Sequence, residues 1–528
     1  MVGEIMMLVD GDLWNSHDLS VGRVSWRANL GTQPVDVDTD SLRDWAMAQR
    51  GHWVAVVRNE HGVFGVTDNL RSFPILYTHD AELLVSSTPT ALLEDMSAPR
   101  RNSIAAAEFT HGGYLLGPQT LIEEVYSVQA GSVVDLNTGQ LVDTYRMPTS
   151  YVESDADPME YMRFFYDVVV DQFKPLAETK HQLLVPLSGG ADSRLIMLAL
   201  RAAGAENVLA FTYGTPGSAE VCISQEVARA AGYTWKAIEL DRAKVHQLWV
   251  QPQTGEFLKD AWSGESLPHI QDWYALHELR NDPDVAADAI VLPGHTIVGN
   301  EHGDDILAGH PVSIDGAMDL LTEHHFHLQG KKHARELPLS LRQRLRSFLE
   351  ENWKVGDRAH NSKALVELNL LTRQARYINN SMRGYEHFGF DWALPMLTAD
   401  AWDAWLSAPQ ALHTEDRHYY VRFINEEFSR AFSSELTYFT TRVGTIEPER
   451  KRKIKAALSS LHILDLVLDL ARIRTERRHP MAFEALAGSL KQYQYDMRLI
   501  RGQRTLGIYA ELFLANEWVP GQTVVPQE

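Results

Sequence analysis

The sequence predicts a mixed α/β protein in which a β-rich N-terminal part precedes a parallel sheet and a helical C-terminal part. Two observations support this fold class. From about residue 159, amphipathic helical patterns alternate with short apolar segments, which is typical of parallel strands joined by helices. Before about residue 150 the chain shows short strands joined by turn-rich segments, and after about 315 the pattern is almost entirely helical.

The β-rich domain is predicted over residues 1–150 and a second domain over 158–528. The segment 148–158 between them is polar, acidic and bounded by prolines, which is typical of a linker. The predicted strands of the first domain are 52–58, 63–67 and 127–136. Those of the second domain are 183–187, 208–212 and 289–292.

Composition excludes several classes of protein. A chain of 528 residues with 45% hydrophobic residues can bury more than one core. Its net charge of −21 makes nucleic acid an improbable partner. The single cysteine, Cys222, excludes internal disulfides and fits a reducing compartment. No apolar run approaches the length of a membrane span, and the apolar start at 6–9 is too short for a signal peptide. We therefore expect a cytoplasmic protein with no membrane partner, and a homodimer stays open.

The most informative segment is the Ser-Gly-Gly-Ala-Asp-Ser run at 188–193, which joins the predicted strand 183–187 to a helix predicted over 193–203. Glycines and a helix N-terminus together present backbone N–H groups to an anion. Hydroxyls and a carboxylate are the hard oxygen ligands that Mg²⁺ prefers. An ordinary Gly-Gly turn capped by serine is the alternative. The run predicts a site for pyrophosphate and magnesium built from Leu187, Ser188, Gly189, Gly190, Asp192 and Ser193.

This run resembles the pyrophosphate loop of the ATP pyrophosphatases, and specifically of the asparagine synthetase-like enzymes. It lacks the Gly-Lys-Ser/Thr ending of the Walker loop. The resemblance implies that ATP is cleaved to AMP and pyrophosphate while a carboxylate is activated as its adenylate. An amine or ammonia then captures that adenylate. ATP and Mg²⁺ are the implied cofactors, and the carboxylate belongs to a small molecule, a saccharide or a peptide.

The N-terminal domain resembles the glutaminase domain of asparagine synthetases at residues 66–77 and 117–131. That resemblance implies an N-terminal nucleophile-hydrolase-like sandwich. Active glutaminases of this class use an N-terminal cysteine, exposed by removal of the first methionine, as their nucleophile. Position 2 here is Val2, which has no group to replace a thiolate. We therefore expect a degenerate, inactive domain that is kept for packing or substrate docking.

Two further segments resemble parts of the family's nucleotide site. Tyr213 and Gly214 directly follow the predicted strand 208–212 and resemble the segment against adenine and ribose. Ligands of open α/β sheets lie at the carboxyl ends of the strands, which agrees with that role. Gly294 resembles the start of a Gly-x-Gly-x-Asp pattern, and Asp304 resembles its aspartate, which helps to bind magnesium and pyrophosphate. Residues 297–302 then form an insertion, which leaves Asp305 as the alternative aspartate.

Asp192 and Asp304 are accordingly the predicted metal ligands. His295 is the predicted proton acceptor, because an amine must lose a proton as it attacks an acyl-adenylate and neutral imidazole suits this role near pH 7. At the matching position asparagine synthetases carry a glutamate, β-lactam synthetases a tyrosine and lasso-peptide cyclases a histidine. A loop histidine that bonds only to backbone is the alternative. The nearby His269, Gln271 and Asp272 resemble the acceptor side of the pocket.

Two more catalytic candidates follow from the resemblance. Asp391 stands in place of a family glutamate, and Ala393 stands where an arginine is usual. Loss of that arginine removes a bidentate carboxylate clamp and disfavours plain aspartate as the substrate. Lys453, within the basic run 450–455, is the candidate for a late lysine that stabilises the transition state of adenylation. The run is otherwise a solvated helix face, or a docking surface for an acidic saccharide or peptide.

These observations together predict an ATP-dependent carbon–nitrogen ligase that forms AMP and pyrophosphate and makes an amide bond without a glutaminase of its own. The alternative within the class is an intramolecular macrolactam-forming cyclase of the lasso-peptide type. An ATP pyrophosphatase acting on tRNA is disfavoured by the net acidity and by the absence of a cysteine pair. A nucleotide-binding protein without catalysis is disfavoured by the intact run at 188–193.

Overall fold

A computed structural model describes residues 4–6, 13–15, 28–29, 39–59, 61–79, 83–145, 156–330, 336–434, 473–477 and 479–528. The strands are β1 (Glu4–Met6), β2 (Leu13–Asn15), β3 (Ala28–Asn29), β4 (Arg50–Gly51), β5 (Val54–Asn59), β6 (Gly62–Thr67), β7 (Leu76–Tyr77), β8 (Leu84–Ser86), β9 (Tyr126–Ser127), β10 (Ser132–Asp135), β11 (Gln140–Thr144), β12 (Leu183–Pro186), β13 (Val208–Gly214), β14 (Thr234–Glu239), β15 (Ile290–Val291) and β16 (Asp391–Trp392).

The helices are α1 (Thr39–Ala48), α2 (Pro89–Asp95), α3 (Ser103–Gly112), α4 (Pro158–Ala177), α5 (Ala191–Ala203), α6 (Ala219–Ala231), α7 (Arg242–Trp249), α8 (Gln253–Asp260), α9 (Trp273–Arg280), α10 (Asp304–Gly309), α11 (Ile314–His325), α12 (Leu339–Asn352), α13 (Arg358–Asn369), α14 (Ser381–His387), α15 (Ala399–Leu406), α16 (His418–Phe432), α17 (Gln492–Ile500) and α18 (Thr505–Leu514). A π-helical segment, Leu370–Ile378, follows α13 directly, and short 3₁₀ turns lie at Pro395–Leu397, Gln410–Leu412 and Phe483–Leu486.

The N-terminal part contains antiparallel sheets with the strand orders β1-β5-β6-β10-β11 and β2-β8-β7-β9. The predicted hairpin is confirmed, because β5 and β6 pair from Val54 opposite Thr67 to Asn59 opposite Gly62. Valines on these strands are buried, so apolar side chains that recur along the strands fill the space between the sheets and their covering elements.

The second part is built on a parallel sheet with the order β14-β13-β12-β15-β16. Strand β12 is central: the chain adds β13 and β14 on one side and then returns to add β15 and β16 on the other. Helix α5 packs against α4, α6 and α16. The strand order reverses beside β12, and open α/β sheets bind their ligands at the carboxyl ends of the strands at such a point. The predicted α/β fold class is confirmed.

The N-terminal part joins the rest of the chain through a buried ion-pair cluster. Arg71 contacts Glu265 at 2.6 Å and Arg376 contacts it at 3.2 Å, and all three side chains are at most 2% exposed. Arg376 also donates hydrogen bonds to the carbonyl oxygens of Leu115 and Gly117, at 3.0 and 2.7 Å. Arg71 belongs to the segment that resembles a glutaminase, and its side chain serves here as a packing contact.

From residue 315 the described chain is mostly helical, as predicted, with β16 as an exception. The linker prediction at 148–158 lies largely outside the described residues, so the domain boundary stays a prediction. Within the described ranges, no helix combines the length and the apolar character that a membrane crossing requires.

Candidate active site

The run at 188–193 lies where it was predicted, between the carboxyl end of β12 and the start of α5. The helix begins at Ala191, two residues before the predicted start. Leu187 is buried, and its N–H group donates to the carbonyl of Phe211 at 2.7 Å, which extends the β12–β13 pairing up to the loop. The loop is therefore anchored to the sheet on one side and to the helix on the other.

Serine side chains shape the loop from within. The Ser193 hydroxyl donates to the carbonyl oxygens of Ser188, at 2.8 Å, and Gly190, at 3.1 Å. The N–H group of Gly190 donates to the Ser188 hydroxyl oxygen at 3.1 Å. Ser193 is 3% exposed, whereas Ser188 is half-buried. Ser193 thus holds the loop closed, and Ser188 is the serine with an accessible side.

Neither glycine of the loop has a backbone conformation reserved for glycine, and at Gly189 the constraint is space. Gly190 has φ −71° and ψ 160°, and Gly189 is not among the residues with positive φ. A Cβ on Gly189 would instead lie 2.8 Å from the Ile223 side chain on α6. A side chain at this position would therefore require the Ile223 side chain on α6 to shift.

Asp192, the first predicted metal ligand, forms an ion pair with Arg417, which the sequence analysis did not single out. The Arg417 guanidinium contacts both carboxylate oxygens of Asp192, at 3.0 and 3.3 Å. Arg417 immediately precedes α16 and has φ 51°, in the left-handed region that is costly for a residue with a side chain. The pair is part-exposed, at 28% for Arg417 and 27% for Asp192, so both groups are accessible to a ligand.

Asp304, the second predicted metal ligand, contacts the same chain segment. Its carboxylate accepts a hydrogen bond from the N–H of Glu415 at 2.8 Å, and the Glu415 carboxylate accepts one from Gly303 at 3.0 Å. Burial raises the pKa of Asp304, against the Glu415 hydrogen bond and Arg358, and the neighbouring Glu301 adds to the rise. The alternative residue, Asp305, is exposed. Residues 415–417 thus contact both predicted metal ligands.

Glu301 adds a carboxylate that lies inside the predicted insertion and was not singled out as a ligand. It pairs with His413 at 3.0 Å, and both side chains are 1% exposed. Its second oxygen is buried and has no hydrogen-bond partner. The charge of Glu301 acts on Arg417 as well as on Asp304. A buried carboxylate oxygen without a partner is costly, and a cation would remove that cost.

Tyr213 lies at the end of β13, as predicted, and belongs to a hydrogen-bonded cluster. The carboxylate of Asp272 accepts hydrogen bonds from the hydroxyls of Tyr213 and, at 2.7 Å, Tyr385. Gln271 donates to the Tyr213 oxygen at 3.3 Å. Burial, and after it the Asp272 charge, raises the pKa of both phenols well above their usual value, so both are donors at neutral pH. Gly214 ends the strand, and a Cβ there would lie 2.8 Å from the Ser218 hydroxyl.

Gly294 and His295 lie beside the loop. A Cβ on Gly294 would come within 3.9 Å of the Asp192 side chain. The Nδ1 atom of His295 is buried and has no hydrogen-bond partner. The alternative interpretation, a loop histidine that only bonds to the backbone, therefore does not hold for this atom. Burial lowers the pKa of His295 to about 4, with His269 adding to the effect and Asp272 opposing it. The imidazole is therefore neutral at pH 7.

Asp391 is not brought to the loop. It lies in β16 opposite Ile290 of β15, and Ile290 in turn lies opposite Leu183. That register places Asp391 at the amino end of the sheet, whereas Ser188 follows the carboxyl end of β12. Lys453 and the basic run around it lie outside the described residues, so that role stays a prediction.

The fold and the loop together define an α/β protein with a predicted phosphate site at the carboxyl edge of a parallel sheet. The chain matches no protein-family model and no curated protein. Among solved structures it is similar to an NH3-dependent NAD synthetase from Campylobacter jejuni subsp. jejuni NCTC 11168 in complex with the nitrate ion. The identity is 16%, the match covers 37% of this chain and 95% of that chain, and the TM-score is 0.19.

Proposed function

We propose that this chain is an ATP-dependent amide-bond synthetase that adenylates a carboxylate and releases pyrophosphate and then AMP. The main support is one arrangement: the loop at 188–193 lies at the carboxyl end of β12, and residues 415–417 contact both Asp192 and Asp304. A phosphate loop with carboxylates beside it is the arrangement that nucleotidyl chemistry requires. The resemblance of the loop to that of asparagine synthetase-like enzymes agrees with this assignment.

The residues at this edge fit a magnesium ion. Glu301 has a buried oxygen without a hydrogen-bond partner, and Asp304 has a raised pKa, both of which a divalent cation would relieve. Asp192 and Asp304 would hold the ion, with the Glu301 oxygen as a further candidate. Bound magnesium neutralises charge that develops on the phosphate oxygens as the α–β bond breaks.

Arg417 is the proposed cation for the triphosphate. A guanidinium can donate two parallel hydrogen bonds to a phosphate, and Arg417 already lies within contact of Asp192 at the loop. It would stabilise the pentacoordinate transition state in which the substrate carboxylate oxygen bonds to the α-phosphorus and pyrophosphate leaves. This is the role that the resemblance assigned to Lys453.

His295 is the proposed proton acceptor in the second step. The amine nitrogen attacks the acyl carbon, the bond from that carbon to the AMP oxygen breaks, and the proton lost by the amine passes to Nδ1. The Asp272 charge acts on His295 and favours its protonated form, so the carboxylate supports the imidazole as the proton arrives. The two tyrosines on Asp272 hold that carboxylate in place.

The test is formation of AMP and pyrophosphate from ATP and Mg²⁺, screened against carboxylates with and without ammonium. We expect Asp304→Asn to lower AMP formation on the order of 100-fold, and the exposed neighbour Asp305→Asn to leave it near wild type. His295→Ala should keep exchange between ATP and pyrophosphate while amide formation falls on the order of 100-fold.

Three outcomes would contradict parts of the proposal. AMP formation that no carboxylate stimulates would remove the adenylation step. Equal effects of Asp304→Asn and Asp305→Asn would remove the metal assignment. An acid limb of kcat/KM near 6.5 instead of about 4 would remove His295 as the base. A peptide converted without ammonium would select the macrolactam-forming alternative over intermolecular amidation.

A further inference from the structure

Three histidines come together away from the nucleotide loop. His302 lies in the loop before α10, and His324 and His325 end α11. One ring nitrogen from each can be chosen so that all three lie within 4.8 Å of one another. We propose that these histidines form a binding site for a transition-metal dication, with Zn²⁺ as the expected occupant. The proposal does not depend on the function proposed above.

Two of the three histidines of this cluster are buried. His302 and His325 are each 3% exposed. Neither ring nitrogen of His302 meets full hydrogen-bond geometry, although the backbone of Asn300 lies close enough to raise the pKa of that ring, and Nε2 of His325 has no partner. Buried nitrogens with a poor partner or none carry a free-energy cost. Coordination of one ion would satisfy at least one nitrogen of each ring.

Tyr114 orients one of the proposed ligands. Its hydroxyl lies 2.7 Å from Nδ1 of His325, so Nδ1–H can donate to the phenol oxygen and leave the Nε2 lone pair for a metal. An outer hydrogen bond of this kind fixes the tautomer and the direction of a metal-binding imidazole. Because Tyr114 comes from the N-terminal part of the chain, the site would tie three separated segments together.

Burial, and after it nearby positive charge, favours the neutral imidazole that a metal needs. Burial lowers the pKa of His302 to about 4, and it lowers that of His325 well below the usual value. Desolvation where its ring packs against the cluster, and after it the His302 charge, lowers the pKa of His324, although the residue as a whole is exposed. The positive charge of Arg373 contributes to all three pKa shifts. The same charge repels a bound dication, so the metal–nitrogen bonds must outweigh that repulsion. Imidazole nitrogen is a ligand that suits zinc.

The geometry requires a ring to turn, because the in-plane lone pairs of two stacked rings do not converge on one ion. The rings of His302 and His324 stack with centroids 3.9 Å apart, and His325 meets both rings edge-on. A tetrahedral zinc site with Zn–N bonds of about 2.0–2.1 Å holds its nitrogens roughly 3.3 Å apart. His324 is exposed at the surface, so its ring can turn toward an ion and water can take the fourth position. The bound ion would clamp the loop that carries Glu301 and Asp304 to α11.

The experiment is a cobalt and zinc titration of the full chain without an affinity tag, after removal of metal by a chelator. We expect one equivalent of Co²⁺ to give the visible absorption of a tetrahedral site, and Zn²⁺ to displace it. His324→Ala should weaken Co²⁺ binding by about 10-fold to 100-fold. Its side chain is exposed, so this variant should fold even if His325→Gln does not.

Two controls separate this site from others. The exposed His310→Ala, six residues from the end of the Glu301-to-Asp304 loop, should bind Co²⁺ as wild type does. Asp192→Asn removes a proposed magnesium ligand and should also leave the tetrahedral absorption unchanged. Absence of that absorption in the wild-type chain would overturn the proposal, as would an unchanged Co²⁺ affinity in His324→Ala.

Discussion

Two ion-pair clusters in this molecule look alike locally and differ in what surrounds them. In the cluster between the N-terminal part and the rest, one carboxylate, Glu265, lies between the guanidiniums of Arg71 and Arg376, and all three are at most 2% exposed. At the loop, the guanidinium of Arg417 is acted on by two carboxylates, Asp192 and Glu301, and the Arg417–Asp192 pair is more than a quarter exposed.

The difference separates a closed cluster from one that is open to a ligand. Glu265 has two cationic partners within the protein, and burial lowers the pKa of Arg71 to about 10, which reflects the cost of desolvating the group. Asp192 has a surface that water can reach, and Glu301 beside it keeps an oxygen without a partner. At the loop, carboxylates outnumber the guanidinium and solvent can reach Asp192, which favours the binding of a cation. At Glu265 the two guanidiniums already balance the carboxylate inside the protein, which is typical of a structural contact.

The largest effect is expected at the closed cluster. Glu265→Ala leaves two guanidiniums buried without their carboxylate, so we expect the free energy of unfolding to fall by about 3–5 kcal/mol. Urea denaturation followed by circular dichroism measures this change. Asp315→Ala, which breaks the exposed pair with Arg346, is the matched control and should cost about 0–1 kcal/mol. An equal decrease in the free energy of unfolding in the two variants would show that Glu265 does not stabilise the buried Arg71 and Arg376 side chains.

A smaller effect is expected at Arg417, whose φ of 51° suits glycine. Arg417→Gly and Arg417→Ala both free Asp192, but only glycine removes the cost of the left-handed backbone. We therefore expect the glycine variant to be about 1 kcal/mol more stable than the alanine variant. The same urea denaturation measures the difference. At Arg71, which has the same φ, both changes should destabilise because each leaves Glu265 with one fewer partner.

The smallest effect is a pH dependence at Asp304. Its pKa in the folded state is raised above 3.8, so its contribution to stability is present below that value and is lost as the pH rises through the folded pKa. Without Mg²⁺, the Asp304→Asn variant should therefore have a higher free energy of unfolding than wild type at neutral pH. The difference between the two free energies should become smaller as the pH falls toward 3.8. Asp305→Asn is the control. A difference that grows on acidification would contradict the raised pKa.

The sequence was sufficient for the parts of the molecule that depend on local pattern. The hairpin of β5 and β6 and the buried strands β12 and β13 follow from apolar runs bounded by turn residues, and the loop at 188–193 follows from its own composition. Strand β16 has two residues, too few for any periodicity, so the sequence did not indicate that Asp391, a candidate taken from resemblance alone, lies in a strand opposite Ile290.

The parts that could not be predicted depend on contacts between distant residues. Arg417 contacts Asp192 across 225 positions of the chain, and no local pattern marks either as a partner of the other. The need for glycine at 189 arises from Ile223 on another helix. In the sequence, His302 is only the last residue of the predicted insertion. The fold brings it close to His324, at the end of α11.

The contact of residues 415–417 with both predicted metal ligands has a thermodynamic consequence. Glu415 contacts Asp304 and Arg417 contacts Asp192, and the two residues are separated by one position in the chain. A cation that draws the two aspartates together and an anion that draws Arg417 away would displace the same short peptide. Binding of the proposed cation and of the proposed nucleotide would then be linked, and each would change the affinity for the other by the same factor. Through residues 415–417, the nucleotide and the metal would therefore bind cooperatively.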